Sequence, residues 1–510
     1  MSIRSSAFVV LALSAGSAAA QDTSGAPLSA IDWLRQQTPP AAIAPVTQEP
    51  AVTGSATVPA VTVTPLEGAA ARQVGLVPGD VTGLPATLWK GADGLQTAAR
   101  IDRMGVPMLP AAQALFYTVL LAETDPPTTG AAALVLARID ALMRMGALDP
   151  ALALSHQSGP PTTKAAFERL FDAALLAGEE AQACAVLQQA RPPLADYREQ
   201  VFCAARAGDW DTAALLLGTA SALGDLSEAE ANLLAQFLDP ELVEGDPAIP
   251  ARPDPLSVRM LEAVGTPVST TTLPRAFANL DLRDVAGWKA QLSAAERLAE
   301  TGAIDANRLF GIITDRQPAA SGGIWDRTRS IQRFDTALRT GSSDAIAKTL
   351  PDALTAARAA RMAVPVAGLF ADRLLQSGAA GSAPAYELIL LSPRYEEAAT
   401  RFPEQAADRP LLGALAAGDT ATISELQDPL QDAVRRAFGQ DAPAPDARLI
   451  EMARGDALGP ALLDVLTQLD RGARGDLQTL SRALVTLRVL GLEDTARRAA
   501  LQVLLMERQT

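Results

Sequence analysis

Apolar residues recur along most of this chain at the three- and four-residue intervals of a helix with one buried face. Leu134, Ala137, Ile139, Leu142 and Met143 form one such run. Phe167, Leu170, Phe171, Ala174 and Leu175 form a second, and Leu480, Leu484, Leu487, Val489 and Leu490 a third. Strict alternation, the mark of a half-buried strand, is weak throughout; only Val61-Thr62-Val63 shows it. Residues 98–508 therefore read as a succession of short helices, and the fold class as all-α.

Between the helical runs a turn recurs: an apolar helix end, a glycine, then small or acidic residues and an alanine. It appears as Leu176-Ala177-Gly178-Glu179-Glu180-Ala181, as Arg206-Ala207-Gly208-Asp209-Trp210 and as Thr301-Gly302-Ala303-Ile304-Asp305. Gly146, Gly341, Gly418, Gly455 and Gly491 sit in similar settings. Glycine takes the left-handed conformation that ends a helix, and Asp or Ser beyond it caps the next. Within each group the turns are about 30–40 residues apart, the period of stacked helical hairpins. The pattern predicts an α-solenoid of antiparallel hairpins.

The N-terminus differs. Arg4, the apolar run Ala7–Ala15 and the small residues Ala18-Ala19-Ala20 read as a secretory signal peptide, residues 1–20, cleaved after Ala20. The run is too short to span a bilayer, which takes about 20 residues. Residues 21–37 hold a short tethered helix presenting Ile31, Trp33 and Leu34. Residues 38–97 are a linker rich in Pro, Ala and Thr, then an irregular strap that Trp89 is expected to pack onto the first helices. The helical body divides into an N-terminal array, 98–238, a proline-rich connection, 239–274, and a C-terminal array, 275–510. One continuous superhelix with a long loop is the alternative.

Charge narrows the partners. Against 43 Lys and Arg stand 58 Asp and Glu, a formal net charge of −15. An acidic exported chain has no basic footprint for nucleic acid. After processing it is expected to lack an integral membrane segment and to reside in the periplasm.

Chemistry-bearing motifs are sparse. His156 is the lone histidine, so a catalytic triad or a histidine metal site would have to use it; a helix-end position is the expected role. No Gly-Lys dipeptide exists for a phosphate loop. No catalytic, cofactor-binding or metal-ligating residue is assigned. Cys184 and Cys203 are equidistant from Pro192-Pro193. In an antiparallel hairpin that symmetry sets them at equal height, and export permits a disulfide between them. Trp210, Trp288 and Trp325 read as core or hairpin-packing residues. Arg327, Arg329, Arg333, Arg358 and Arg361 could line a concave face that receives carboxylates of a partner.

The body, over about 400 residues, resembles tetratricopeptide-like α-solenoids, without the full consensus of that repeat. The series Cys184 … Phe202-Cys203 … Ala207-Gly208-Asp209 is similar to that of exported bacterial helical-repeat proteins with no established function. The resemblance implies a fold class and use in protein binding. The expected function is a non-enzymatic periplasmic scaffold or adaptor that engages an envelope protein, with contacts on the concave face and on Ile31, Trp33 and Leu34. The alternative is an envelope glycan hydrolase using carboxylates on a helical scaffold; a purely structural protein is a third reading. Convergence of two carboxylates and an aromatic in one cleft would favour the hydrolase.

Overall fold

The computed structural model describes residues 73–189, 194–241, 245–378, 381–420 and 423–506. The chain divides into two units, Met1–Gly68 and Ala69–Thr510, and every described residue belongs to the second. The signal peptide, the tethered helix with Ile31, Trp33 and Leu34, and the linker to residue 72 lie outside the described residues.

The unit is all-helical. Isolated bridges such as Val74 to Thr124 are the sole β pairing among the described residues. The first helices are α1 (Gly79–Thr82), α2 (Gly94–Asp102), α3 (Pro110–Leu121) and α4 (Ala131–Met145). An arm follows: α5 (Leu148–Gln157), α6 (Lys164–Ala177), α7 (Glu180–Gln189), α8 (Tyr197–Arg206), α9 (Trp210–Leu223), α10 (Glu228–Leu238) and α11 (Pro255–Ala263). A 3-10 helix, Arg275–Leu282, returns the chain to α12 (Trp288–Ala299), α13 (Ala306–Thr314), α14 (Ile324–Thr340), α15 (Ser343–Ala359), α16 (Ala363–Gln376), α17 (Ala383–Leu390) and α18 (Tyr395–Arg401). The last are α19 (Pro403–Asp408), α20 (Pro410–Ala417), α21 (Pro429–Phe438), α22 (Ala447–Arg454), α23 (Leu458–Ala473), α24 (Leu477–Val489) and α25 (Glu493–Leu505).

The turns follow the glycine rule with one exception. Gly146, Gly178, Gly208, Gly302, Gly341, Gly418 and Gly491 have φ between 67° and 84°. Gly455 does not; the left-handed residue there is Asp456, φ 58°. Caps fall where the turn chemistry puts them: Asp209, Asp305 and Ser342 accept from backbone N–H groups of α9, α13 and α15.

The two ends of the unit pack on each other. α3 lies against α23 and α25, and α2 against α23. From there contacts run α3–α4, through the 3-10 helix to α12, then α13, α16, α17, α18, α20 and α25, and so back to α3. The helices make a closed circuit, whereas an open array leaves its ends apart. The seam is tight. Gly459 N–H donates to Leu88 O (2.9 Å) and Gly91 N–H to Asp456 O (2.8 Å). The buried Ala111 N–H donates to Gln502 Oε1 at 2.7 Å, and Arg100 pairs with Asp464 at 3.2 Å. Trp89, fully buried, seats the strap on a C-terminal helix: a Cβ at Gly459 would come within 2.1 Å of its Cζ3.

One core runs from Leu84 to Val503 and draws on both sides of the proline-rich connection. The arm has its own, from Leu148 to Leu280, with Phe167, Phe171, Phe202 and Phe237 in a ladder at centroid spacings of 5.6, 6.1 and 5.4 Å. The 239–274 segment contributes α11, which buries Leu256, Val258, Met260 and Leu261. Asp254 caps it by accepting from Ser257 N–H, and Pro255 occupies its first position.

A Gly459→Val exchange therefore forces the Trp89 ring off the seam. Overpacking of this kind costs about 1–3 kcal/mol. The urea midpoint should fall accordingly, while Gly368→Ala, where a Cβ meets only Pro393 at 3.8 Å, should leave it unchanged or raised.

Candidate partner-binding surface

Helix α9 is apolar, yet little of it is covered. Its sequence, Trp-Asp-Thr-Ala-Ala-Leu-Leu-Leu-Gly-Thr-Ala-Ser-Ala-Leu, buries only Ala213 and Ala220. Those residues are seven apart, two turns, and form the seam against α8 and α10. Trp210, Leu215 and Leu223 are 54%, 70% and 64% exposed. On the outer side Leu215, Gly218 and Ala222 follow one another at helical spacing, a short apolar strip that exposed Asp211 bounds at its N-terminal end. A Cβ built on Gly218 meets nothing within 4 Å. A helix on a protein surface ordinarily shows water its polar side; a contiguous apolar face marks an interaction site. Trp210, read from the sequence as a core or hairpin-packing residue, is thus outside the core. Trp288 and Trp325 pack on each other at 5.3 Å.

The cysteines stand one hairpin away. Cys184 on α7 and Cys203 on α8 have Cα atoms 5.3 Å apart, with their sulfurs at disulfide distance. Both are buried beside Phe202.

The arginines expected to line a binding face are largely turned to the fold itself. Arg327 holds Glu296 on α12 (2.7 Å), Arg358 holds Glu387 on α17 (2.6 Å), and Arg361 reaches Glu300 (3.1 Å). Arg329 pairs with Asp326 on its own helix, and Arg333 is exposed. His156 is exposed in the last turn of α5.

A groove of about 750 Å³ between α13, α14 and α16 brings together Phe310, Asp335, Asp372, Arg339 and Arg373. Two carboxylates and an aromatic do meet here, but each carboxylate has a guanidinium. Buried Asp335 accepts from Arg373 (2.9 Å) and Arg339 (3.0 Å). Asp372 pairs with Arg394 at 3.1 Å. The Arg373 guanidinium also lies over the rings of Phe310 and Phe370, at 6.0 and 5.0 Å. Among the described residues no group of three His, Cys, Asp or Glu is arranged to hold a metal. No helix among them is long and apolar enough to cross a membrane.

The arm also holds carboxylates in an unusual state. Burial pushes the Asp172 carboxyl up to about 7, assisted by the charges of Asp254, Glu199 and Glu168 and opposed by Arg198. Burial raises Glu199 as well, and one of its carboxylate oxygens has no hydrogen-bond partner. Arg198 is shared: it pairs with Glu230 (3.2 Å) and Asp254 (2.8 Å).

No protein-family model, curated protein or solved structure matches the chain.

The Asp172 shift has a defined sign. The folded protein holds this proton more tightly than the unfolded chain, whose Asp titrates near pH 3.9. Its contribution to stability is therefore present below about pH 4 and is lost as pH rises to about 7. Asp172→Asn should raise the melting temperature above wild type at about pH 8 and give little gain at about pH 4. An equal effect at both pH values would contradict the assignment.

Proposed function

We propose that this protein is a non-enzymatic helical-repeat scaffold or adaptor of the cell envelope, exported to the periplasm with cleavage after Ala20, and that it engages a protein partner through the outer face of α9. The recurrent hairpins are read as solenoid repeats whose array closes on itself. The observation that carries the reading is the uncovered apolar face of α9, where Leu215 stands out and Gly218 leaves room for a second backbone. Small residues on such a face let a partner helix approach closely.

One observation favours the hydrolase alternative: a carboxyl held near neutral pH, as at Asp172, suits a general acid. Hydrolysis of an envelope glycan by the purified protein, abolished in Asp172→Asn, would replace the adaptor reading.

Two substitutions test the surface. Leu215→Glu puts a charge on it, and Gly218→Leu fills the open space beside the backbone. Each should reduce crosslinked capture of an envelope partner tenfold or more. Gly218→Leu should also leave thermal stability unchanged or raise it, because glycine in a helix interior is disfavoured by roughly 1 kcal/mol. Capture unaltered by both would refute the surface.

In the oxidising compartment the Cys184–Cys203 pair is read as bonded, which peptide mapping without reductant will reveal. A loop of this size stabilises by about 3 kcal/mol in the chain-entropy account. Cys203→Ser should lower the arm's melting temperature with the helical circular dichroism retained.

A further inference from the structure

The apolar face of α9 sits in a stretch of chain with charge of one sign. Between Arg206 and Arg252 the sequence holds nine Asp or Glu and no Lys, Arg or His. Three of those acids, Asp211, Asp225 and Glu228, are exposed and have no cationic partner among the described residues. The cations of α8, which packs on α9, are engaged elsewhere. Arg198 holds Glu230 and Asp254, and Arg206 holds Glu180 at 3.0 Å. Helix α10, on the other side, contributes acids alone.

The two aspartates bracket the exposed face. Asp211 lies in the first turn of α9, one helical step before Leu215. Asp225 follows directly on the left-handed Gly224 that ends the helix, where the negative end of the helix dipole adds to its charge. An acid thus stands at each end of an apolar face about 20 Å long. At its middle Gly218 leaves open space, room for one large apolar side chain from outside. A second copy of the chain is a poor occupant. Laid antiparallel with Gly218 on Gly218, it would set Asp211 of each copy near Asp225 of the other, like charge on like. An anionic lipid surface is repelled for the same reason.

We propose that the partner seated on α9 is a basic amphipathic helix. Its apolar stripe covers Leu215 and Ala222, a large side chain enters the opening at Gly218, and Lys or Arg at the two ends of the stripe meet Asp211 and Asp225. The inference rests on the reading of α9 as the docking face and adds the chemistry of what docks there. Exposed ion pairs add little affinity each; their larger effect is to speed association and to make it depend on salt.

The probes are two labelled synthetic helical peptides of about 18 residues, identical along a stripe of Leu and Ala. One has Lys at both ends of the stripe and the other Glu. The Lys peptide should bind the mature protein saturably and about tenfold more tightly than the Glu peptide at low salt, with the gap narrowing as salt rises. Asp211→Asn combined with Asp225→Asn should close the gap, and the corresponding pair of Lys substitutions should reverse it, with circular dichroism unchanged. Gly218→Leu should weaken both peptides. Equal binding of the two peptides, with both weakened by Gly218→Leu, would overturn the basic partner and leave α9 as the docking face. No saturable binding of the Lys peptide, or binding that Gly218→Leu leaves intact, would overturn the proposal and count against the face itself. A dimer in sedimentation that Gly218→Leu disperses would give the face to a second copy and also overturn the proposal.

Discussion

The helical circuit closes at a seam centred on the contact between Trp89 and Gly459. Stacked hairpins bury their apolar faces only against neighbours, so the first and last of a row each keep one face bare. Here those two faces cover each other. The contact requires a residue without a side chain at 459, since any Cβ would occupy the indole's place. The hydrogen bonds from Gly459 to Leu88 and from Gly91 to Asp456 flank it and fix its register.

Local features of the fold were legible in the sequence. Helical periodicity located the runs around Leu134, Phe167 and Leu480. The turn chemistry foretold left-handed glycines at seven positions, and symmetry about residues 192 and 193 put Cys184 opposite Cys203. What escaped depends on distance or on ambiguity of residue type. The seam joins residues 364 and 391 positions apart, and such contacts leave no local period. Helix α11 lay hidden in a proline-rich stretch because proline breaks a helix inside but suits its first position, where no N–H is needed. Gly455 shared the motif of its counterparts, yet the adjacent Asp456 took the left-handed turn.

The candidate surfaces were less legible, for a related reason. An apolar side chain states that it disfavours water, not which molecule will cover it. Trp210 and Leu215 have the composition of core residues, and only the absence of a covering helix distinguishes them. Arginine carries the same ambiguity: Arg327 and Arg358 spend their guanidinium groups on carboxylates of neighbouring helices. Arg138 differs because its burial offers it carbonyls instead.

Closure also limits how such a chain can change over evolutionary time. A linear row of repeats gains or loses a hairpin with little penalty, because the new end resembles the old. In this circuit, deleting a hairpin such as α16–α17 would draw α3 away from α25 and pull Trp89 off Gly459. An insertion would wedge them apart. The number of helices in the circuit is therefore fixed. The arm stands outside that restriction: α9 can be lengthened or exchanged without altering the number of helices that must meet.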